Sequence, residues 1–357
     1  SSFACFHHLT LNWDSIKQVY RPQIEAGVCP GSFSAVLSHL ALLLSESHTN
    51  VFDNEVVNTS AVPGIPLFLI SGLGYTGFGA STTPLPDSSL LVYNILSSQP
   101  LGLQRGDIIL GYDRIPWKVL YKQLIEWELP LAHATWIGSS PSSFTHSLLR
   151  SAARNWHLFD TIDIVKYNTG DTIHLPTSLM SGTYNPILST EQMNIQGIPK
   201  PVDPEVVSYG IVQGTNIGYI YVYGWFNNAE IQFAQAVQNL LQTEGLIIDF
   251  RYNMGGNMFL SNSGLYLLFD SAVSTIDFGK RCSPNHLEMC PLNNPGTYII
   301  PGAPPGYNKP IAVLTGPGAV SSGDQVALRL KYHKHSRFFG RPTSSAFNSP
   351  AEVTIHD

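Results

Sequence analysis

Residues 245–257, Gly245-Leu-Ile-Ile-Asp249-Phe-Arg251-Tyr-Asn253-Met-Gly255-Gly256-Asn257, open as an apolar run and close as a polar loop with two adjacent glycines. A strand buried on both faces, followed by a turn at its carboxyl end, reads this way. Upstream, Gly218-Tyr-Ile-Tyr-Val-Tyr223 reads as another strand. Between the two, Asn228 to Leu241 carries Ile231, Ala234, Val237 and Leu241 at helical spacing. Downstream, Pro310-Ile-Ala-Val-Leu-Thr315 predicts a third strand and Ser322 to about His333 a helix. This alternation predicts βαβ units around a mostly parallel sheet, an α/β fold. In such sheets reactive groups gather at the carboxyl ends of strands, and two loops here begin at such ends.

The rest of the chain reads differently. Residues 1–58 are helical in pattern, with Ser32-Phe-Ser-Ala-Val-Leu-Ser-His-Leu-Ala-Leu-Leu-Leu-Ser45 placing apolar residues on one face, and predict an N-terminal helical cap. Residues 59–185 hold β-rich runs at Leu90–Leu96, Asp107–Tyr112 and Thr161–Tyr167 and predict a compact β domain. Two helical patterns at about 118–156 read as an insertion in it, and the Pro-, Gly- and Asn-rich stretch 186–215 as the boundary before an α/β domain over 216–357.

Each of the two loops has an ordinary explanation. Gly255-Gly256 after a strand is commonly just a turn, but paired glycines also let backbone N–H groups face a cavity, as stabilisation of an oxyanion requires. Gly316-Pro-Gly-Ala-Val-Ser321-Ser322-Gly323-Asp324 ends a strand and begins a helix. Ser321 there could simply be an N-cap with Asp324 in the first turn. The same position puts its hydroxyl in the positive field of a helix N-terminus, which favours a developing anion.

Taken together, strand, Asp-x-Arg-x-Asn-x-Gly-Gly, strand, Ser-x-Gly-Asp, helix and Gly340-Arg-Pro-Thr343 closely resemble the C-terminal-processing and tricorn-core family of serine peptidases over about 217–350. Ahead of them, Gly102-Leu-Gln-Arg-Gly-Asp107-Ile-Ile-Leu-Gly-Tyr is similar to a segment of the PDZ modules that such enzymes carry. The resemblance implies a ClpP/crotonase-like core, a PDZ-like domain and a serine-type peptidase. It selects Ser321 as nucleophile, with the N–H of Ser322 and one from Gly255 or Gly256 as the oxyanion hole. The lysine of the C-terminal-processing branch is replaced by Ala346, which argues against a Ser–Lys dyad. The tricorn-like branch uses a serine-preceded histidine ahead of the PDZ module, and Ser47-His48 matches it in type, order and context. His48 is then the general base, as a neutral imidazole near pH 7 can be, supported by Ser47. That branch also orients its histidine with a late glutamate. Only Glu352 and Asp357 follow the nucleophile's helix here, so the acid is either Glu352 or unassigned.

Charged residues make up only 12% of the 357, with a net charge of −6, which argues against nucleic acid as partner. The expected partner is a polypeptide or peptide. No apolar run of about 18 residues marks an integral membrane segment and no leader opens the chain, so any export signal is expected to have been removed. Homo-oligomerisation is left open. No Walker loop, dinucleotide fingerprint or zinc spacing occurs, so neither metal nor organic cofactor is expected. Cys282 and Cys290 enclose a short polar loop suited to a disulfide, and Cys5 and Cys29 form the other candidate pair. With low Lys and high Asn, Ser and Thr, this favours an extracytoplasmic protein: secreted, periplasmic or surface-associated. His333, Lys334 and His335 read as cations ending a helix, and Tyr219, Tyr221 and Tyr223 as packing residues. Two other functions remain compatible with these residues: a silent member binding a peptide or apolar ligand, and an acyl-ester hydrolase.

Overall fold

Asn12 opens the first helix, its Oδ1 accepting the N–H of Asp14 (3.1 Å) and of Ser15 (3.2 Å). Helix α1 then runs Trp13–Glu25. Pro30 starts α2, Pro30–Leu43, at a first-turn position where no intrahelical N–H is needed. The computed structural model describes residues 11–44, 46, 48–49, 78–126, 138–143, 156–181, 195–202, 204–277, 279–282, 289–291 and 297–347. Their contacts divide them into two units, within 11–191 and 192–357.

In the first unit β1 (Ala80–Pro84), β2 (Leu90–Ile95), β3 (Ile108–Tyr112), β4 (Ile115–Pro116), β5 (Thr161–Val165) and β6 (Thr172–Pro176) form one antiparallel sheet, with α3 (Trp117–Glu126) after β4. Its order is β1-β2-β3-β5-β6, and β4 pairs with β3. Alternate positions bury Leu90, Val92, Ile109, Ile162 and Ile164 against Trp117 and Leu120 of α3, and Leu42 of α2 packs on this core. Trp117 satisfies its indole N–H on Ile109 O at 3.0 Å. Buried Asp107 pairs with Lys166 and accepts the N–H of Gln104 (2.8 Å) and Tyr167 (2.9 Å), which fixes the Gly102–Asp107 turn. Of the helical patterns expected within 118–156, the first forms α3; residues 127–137 and 144–155 lie outside those described.

The second unit contains β7 (Val207–Ile211), β8 (Ile217–Val222), α4 (Ala229–Asn239), β9 (Gly245–Asp249), α5 (Met258–Gly264), β10 (Val273–Asp277), β11 (Gly279–Arg281), β12 (Met289–Pro291), β13 (Thr297–Ile300), β14 (Ile311–Thr315), α6 (Ser322–Leu330) and β15 (Ser336–Gly340). The expected parallel sheet is present, in the order β15-β14-β9-β8-β7. Strands β8, β9, β14 and β15 run parallel, and β7 adds antiparallel to β8. Ile220, Val222, Leu246, Ile248 and Val313 form one core with Phe233, Ala236 and Val237 of α4 and Val326 and Leu330 of α6. Burying each large aliphatic or aromatic side chain contributes about 1.5–3 kcal/mol. On the opposite face Tyr219 and Tyr221 bury against Ile198, as packing residues do.

Strand β7 falls inside the stretch expected to be only a boundary. Pairing with β8 and burial of Val207 and Ser208 make it a strand, a tertiary effect that its Pro- and Gly-rich flanks conceal. Cys282 and Cys290 are joined by the expected disulfide beside the β11–β12 hairpin. Cys29 is exposed and unbridged, and Cys5 lies outside the described residues. Among the described residues no helix is long and apolar enough to cross a membrane.

Helix α6 stops at Leu330, three residues short of the expected end, and His333 does not serve as a helix-terminal cation. It turns into the core, where its Nε2–H donates to Tyr307 O (3.0 Å) and its Nδ1 accepts the His335 N–H (3.3 Å). Burial pushes its pKa down, so the folded chain holds it neutral. The unfolded chain takes up a proton below about pH 6.5. The stability that neutral His333 contributes is therefore present above that pH and lost as pH falls through the lower folded value. His333→Gln cannot titrate and should flatten the loss of stability between pH 7 and 5 by up to about 1.4 kcal/mol per pH unit. Urea unfolding at three pH values tests this, and equal slopes for variant and wild type would contradict it.

Candidate active site

Strands β9 and β14 are neighbours, so the loops leaving their carboxyl ends run side by side. Val320 N–H donates to Asn253 O at 3.0 Å and joins them. Buried Asp249, the last residue of β9, carries the first loop. It receives the Tyr219 hydroxyl at 2.5 Å and a two-pronged grip from Arg251, Nε to Oδ1 at 2.9 Å and Nη2 to Oδ2 at 2.6 Å. Burial, reinforced by the adjacent carboxylate, pushes the Tyr219 hydroxyl far above its ordinary range. Burial also works against the Arg251 charge, but its bonds to Asp249 outweigh that and hold it firmly protonated.

Beyond Asp249 the loop is shaped by one buried amide. Asn253 donates through Nδ2 to Val222 O (3.0 Å) and accepts the Gly255 N–H on Oδ1 (3.0 Å). Trp225 then brackets the glycines: its N–H donates to Gly255 O (2.7 Å), and its carbonyl accepts the Asn257 N–H (2.8 Å). Gly255 (φ +85°) and Gly256 (φ +123°) both lie in the left-handed half of backbone space. A Cβ on Gly255 would stand 2.7 Å from Ser321 Cβ and 3.3 Å from its Oγ, so glycine is what allows the loop to lie against this serine.

Ser321 occupies the N-cap position of α6, yet its side chain makes no capping bond. Its backbone, at φ 56° and ψ −123°, is a conformation that a non-glycine residue holds only at a cost of about 1–3 kcal/mol. Capping, the ordinary explanation, therefore does not account for it. Ser322 donates its Oγ–H to Gly256 O (2.7 Å), tying the second loop to the first. The backbone N–H groups of Gly256 and Ser322 donate to no other described residue, whereas that of Gly255 is taken by Asn253. Of the candidate oxyanion donors, this leaves Gly256 and Ser322.

Asp324, buried in the first turn of α6, accepts the N–H of Ser345 and of Ala346, each at 2.9 Å. The segment after β15 is thereby fastened to the helix that begins beside Ser321, and the methyl of Ala346 is fully buried.

The candidate base belongs to the other unit. His48 is nearly buried, with Nδ1 3.0 Å from Glu46 Oε1, and its backbone N–H donates to Glu46 Oε2 at 2.9 Å. Sequence reasoning missed Glu46; the available signal was its spacing two residues before the histidine. Ser47 and Glu352 lie outside the described residues, as does Asp357. Ser321, Ser322, Gly255 and Gly256 are thus brought together in one unit and Glu46 and His48 in the other. Among the described residues no group of three His, Cys, Asp or Glu side chains could hold a metal ion.

No curated protein matches the sequence. Among solved structures, mature CPAF complexed with lactacystin shares the fold, with a TM-score of 0.67 and 14% identity, covering 100% of this chain and 84% of that one. Mature CPAF alone gives a TM-score of 0.64 at 14% identity, covering 95% and 79%. Residues 216–354, which contain both loops, match Peptidase family S41.

Proposed function

We propose that this protein cuts polypeptides or oligopeptides through Ser321, with His48 as general base and the N–H groups of Gly256 and Ser322 as oxyanion hole. The observation that carries the reading is Ser321 itself: a strained, non-capping serine at a helix N-terminus, with a glycine loop laid against it. Ser321 Oγ attacks the scissile carbonyl carbon while its proton passes to His48 Nε2. Negative charge develops on the carbonyl oxygen, where two fixed N–H dipoles and the α6 terminus favour it more than they favour the neutral ground state. Collapse breaks the C–N bond, the leaving amine takes the proton from His48, and an ester to Ser321 remains. Water then gives a proton to His48 and adds to the ester carbon. Release of the acid returns the proton to Ser321. No cofactor enters these steps.

The α/β domain over 216–357 is read as a ClpP/crotonase-like core, 59–185 as a PDZ-like domain, 1–58 as a helical cap and 186–215 as the linker. The PDZ-like domain would add a peptide as an extra strand on a sheet edge. The disulfide between Cys282 and Cys290 supports an extracytoplasmic location. A fluorophosphonate probe should label the wild type, and label and peptide cleavage should both fall by about 10⁴-fold or more in Ser321→Ala and His48→Ala. Folded wild type that takes no label overturns the reading. Cleavage of small esters without cleavage of polypeptide makes the protein an esterase instead.

A further inference from the structure

The turn after α2 wraps one carboxylate around one histidine. Glu46 is 7% exposed and His48 11%, and the Thr49 N–H closes the turn on Glu46 O at 3.0 Å. The two carboxylate oxygens divide their work. Oε2 accepts the His48 backbone N–H at 2.9 Å, with the Thr49 hydroxyl at 3.5 Å, and Oε1 faces the ring Nδ1 at 3.0 Å. A side chain held at its backbone and at its ring by the same group has little freedom in either χ angle. An ionised carboxylate only accepts, so the proton of a neutral His48 must sit on Nδ1, leaving the lone pair on Nε2.

We propose that Glu46 is the positioning residue for His48, resting on the reading of His48 as the base. It keeps the imidazole in the Nδ1–H tautomer with Nε2 ready to accept, and it stabilises the imidazolium that forms once Ser321 gives up its proton. The Nδ1 proton stays on the histidine throughout, and Glu46 remains a carboxylate. This role does not require the late acid at Glu352. In Glu46→Gln the side chain can turn its NH₂ toward Nδ1, which favours the opposite tautomer, and in either orientation the charge is gone.

The test is the rate of fluorophosphonate labelling against pH for wild type, Glu46→Gln, Glu46→Asp, His48→Ala and Glu352→Gln, each checked for folding by thermal melting. Glu46→Gln is expected to lose at least about 10²-fold at the plateau, and Glu46→Asp to recover part of it. Glu352→Gln should keep the wild-type profile. If Glu46→Gln matches wild type while His48→Ala is dead, the positioning role is overturned and the base stands. The role is equally overturned if the loss appears in Glu352→Gln instead. If His48→Ala labels at the wild-type rate, it is the reading of His48 that fails. Should Glu46→Gln not fold, ¹H–¹⁵N correlation of the wild-type His48 ring decides. A protonated, pyrrole-type Nδ1 at neutral pH supports the role, and a pyridine-type Nδ1 overturns it.

Discussion

Gly255→Ala is expected to cut kcat/KM and fluorophosphonate labelling by about 10²-fold or more while the protein stays folded. Two effects add. At φ +85° an L side chain costs about 1–2 kcal/mol, and the new methyl would stand 2.7 Å from Ser321 Cβ and 2.8 Å from Val320 O. Backbone on one side and a strained serine on the other leave little room to give, so either the glycine loop or Ser321 must retreat. Misplacement by about 1 Å at a reacting centre costs on the order of 10²-fold. Gly214→Ala is the control: its φ is +78°, but nothing stands within 4 Å of the new Cβ. It should lose a similar increment of stability and keep its activity. If both variants keep activity, the loop does not lie against Ser321 as described.

The largest loss of stability is expected from Asp249→Ala. Asp249 is 1% exposed, and its removal leaves the hydroxyl of Tyr219, itself 1% exposed, and the guanidinium of Arg251 without their shared acceptor. Breaking a buried ion pair by deleting one partner costs about 3–5 kcal/mol. For a unit of this size that is a fall in melting temperature of about 10 °C. The Arg251 N–H also loses its acceptor on Asp249, so the loop carrying Gly255 and Gly256 loosens and activity should fall even where the protein remains folded. Chemical unfolding and melting measure the first effect, labelling at low temperature the second. An unchanged midpoint would show that the triad contributes no net stability.

The parts of this molecule that follow from local pattern were legible in the sequence. The runs at Gly245–Asp249 and Ile311–Thr315 could be buried only as parallel strands, because helical stretches separate them and few of their residues are polar. What needed three dimensions was hidden. Strand β7 exists because β8 offers it an edge, and β10 with β13 form a ribbon that no turn signal joins in sequence. Within the site, the glycine pair could be named but not divided: that Gly255 has its N–H occupied, whereas among the described residues Gly256 donates to none, depends on where the Asn253 amide turns. Glu46 was overlooked because the resemblance placed the acid after the nucleophile, whereas a tight turn supplies one beside the histidine. His333 was misjudged because its neutrality comes from burial against Tyr307, which charge counting does not register.

The two loops that meet at Ser321 come from distant parts of the chain. Between β9 and β14 lie α5, the β10–β13 ribbon and the disulfide-closed hairpin, so the Val320–Asn253 and Ser322–Gly256 bonds close a long loop whose entropy is repaid only when β14 docks. A serine in this backbone conformation persists only where its surroundings over-determine it. A nascent or partly opened chain that has joined β8 to β9 but not β14 has neither the strained serine nor its glycine wall. The strained serine and its glycine wall thus arrive together with the finished sheet and are lost together when β14 detaches.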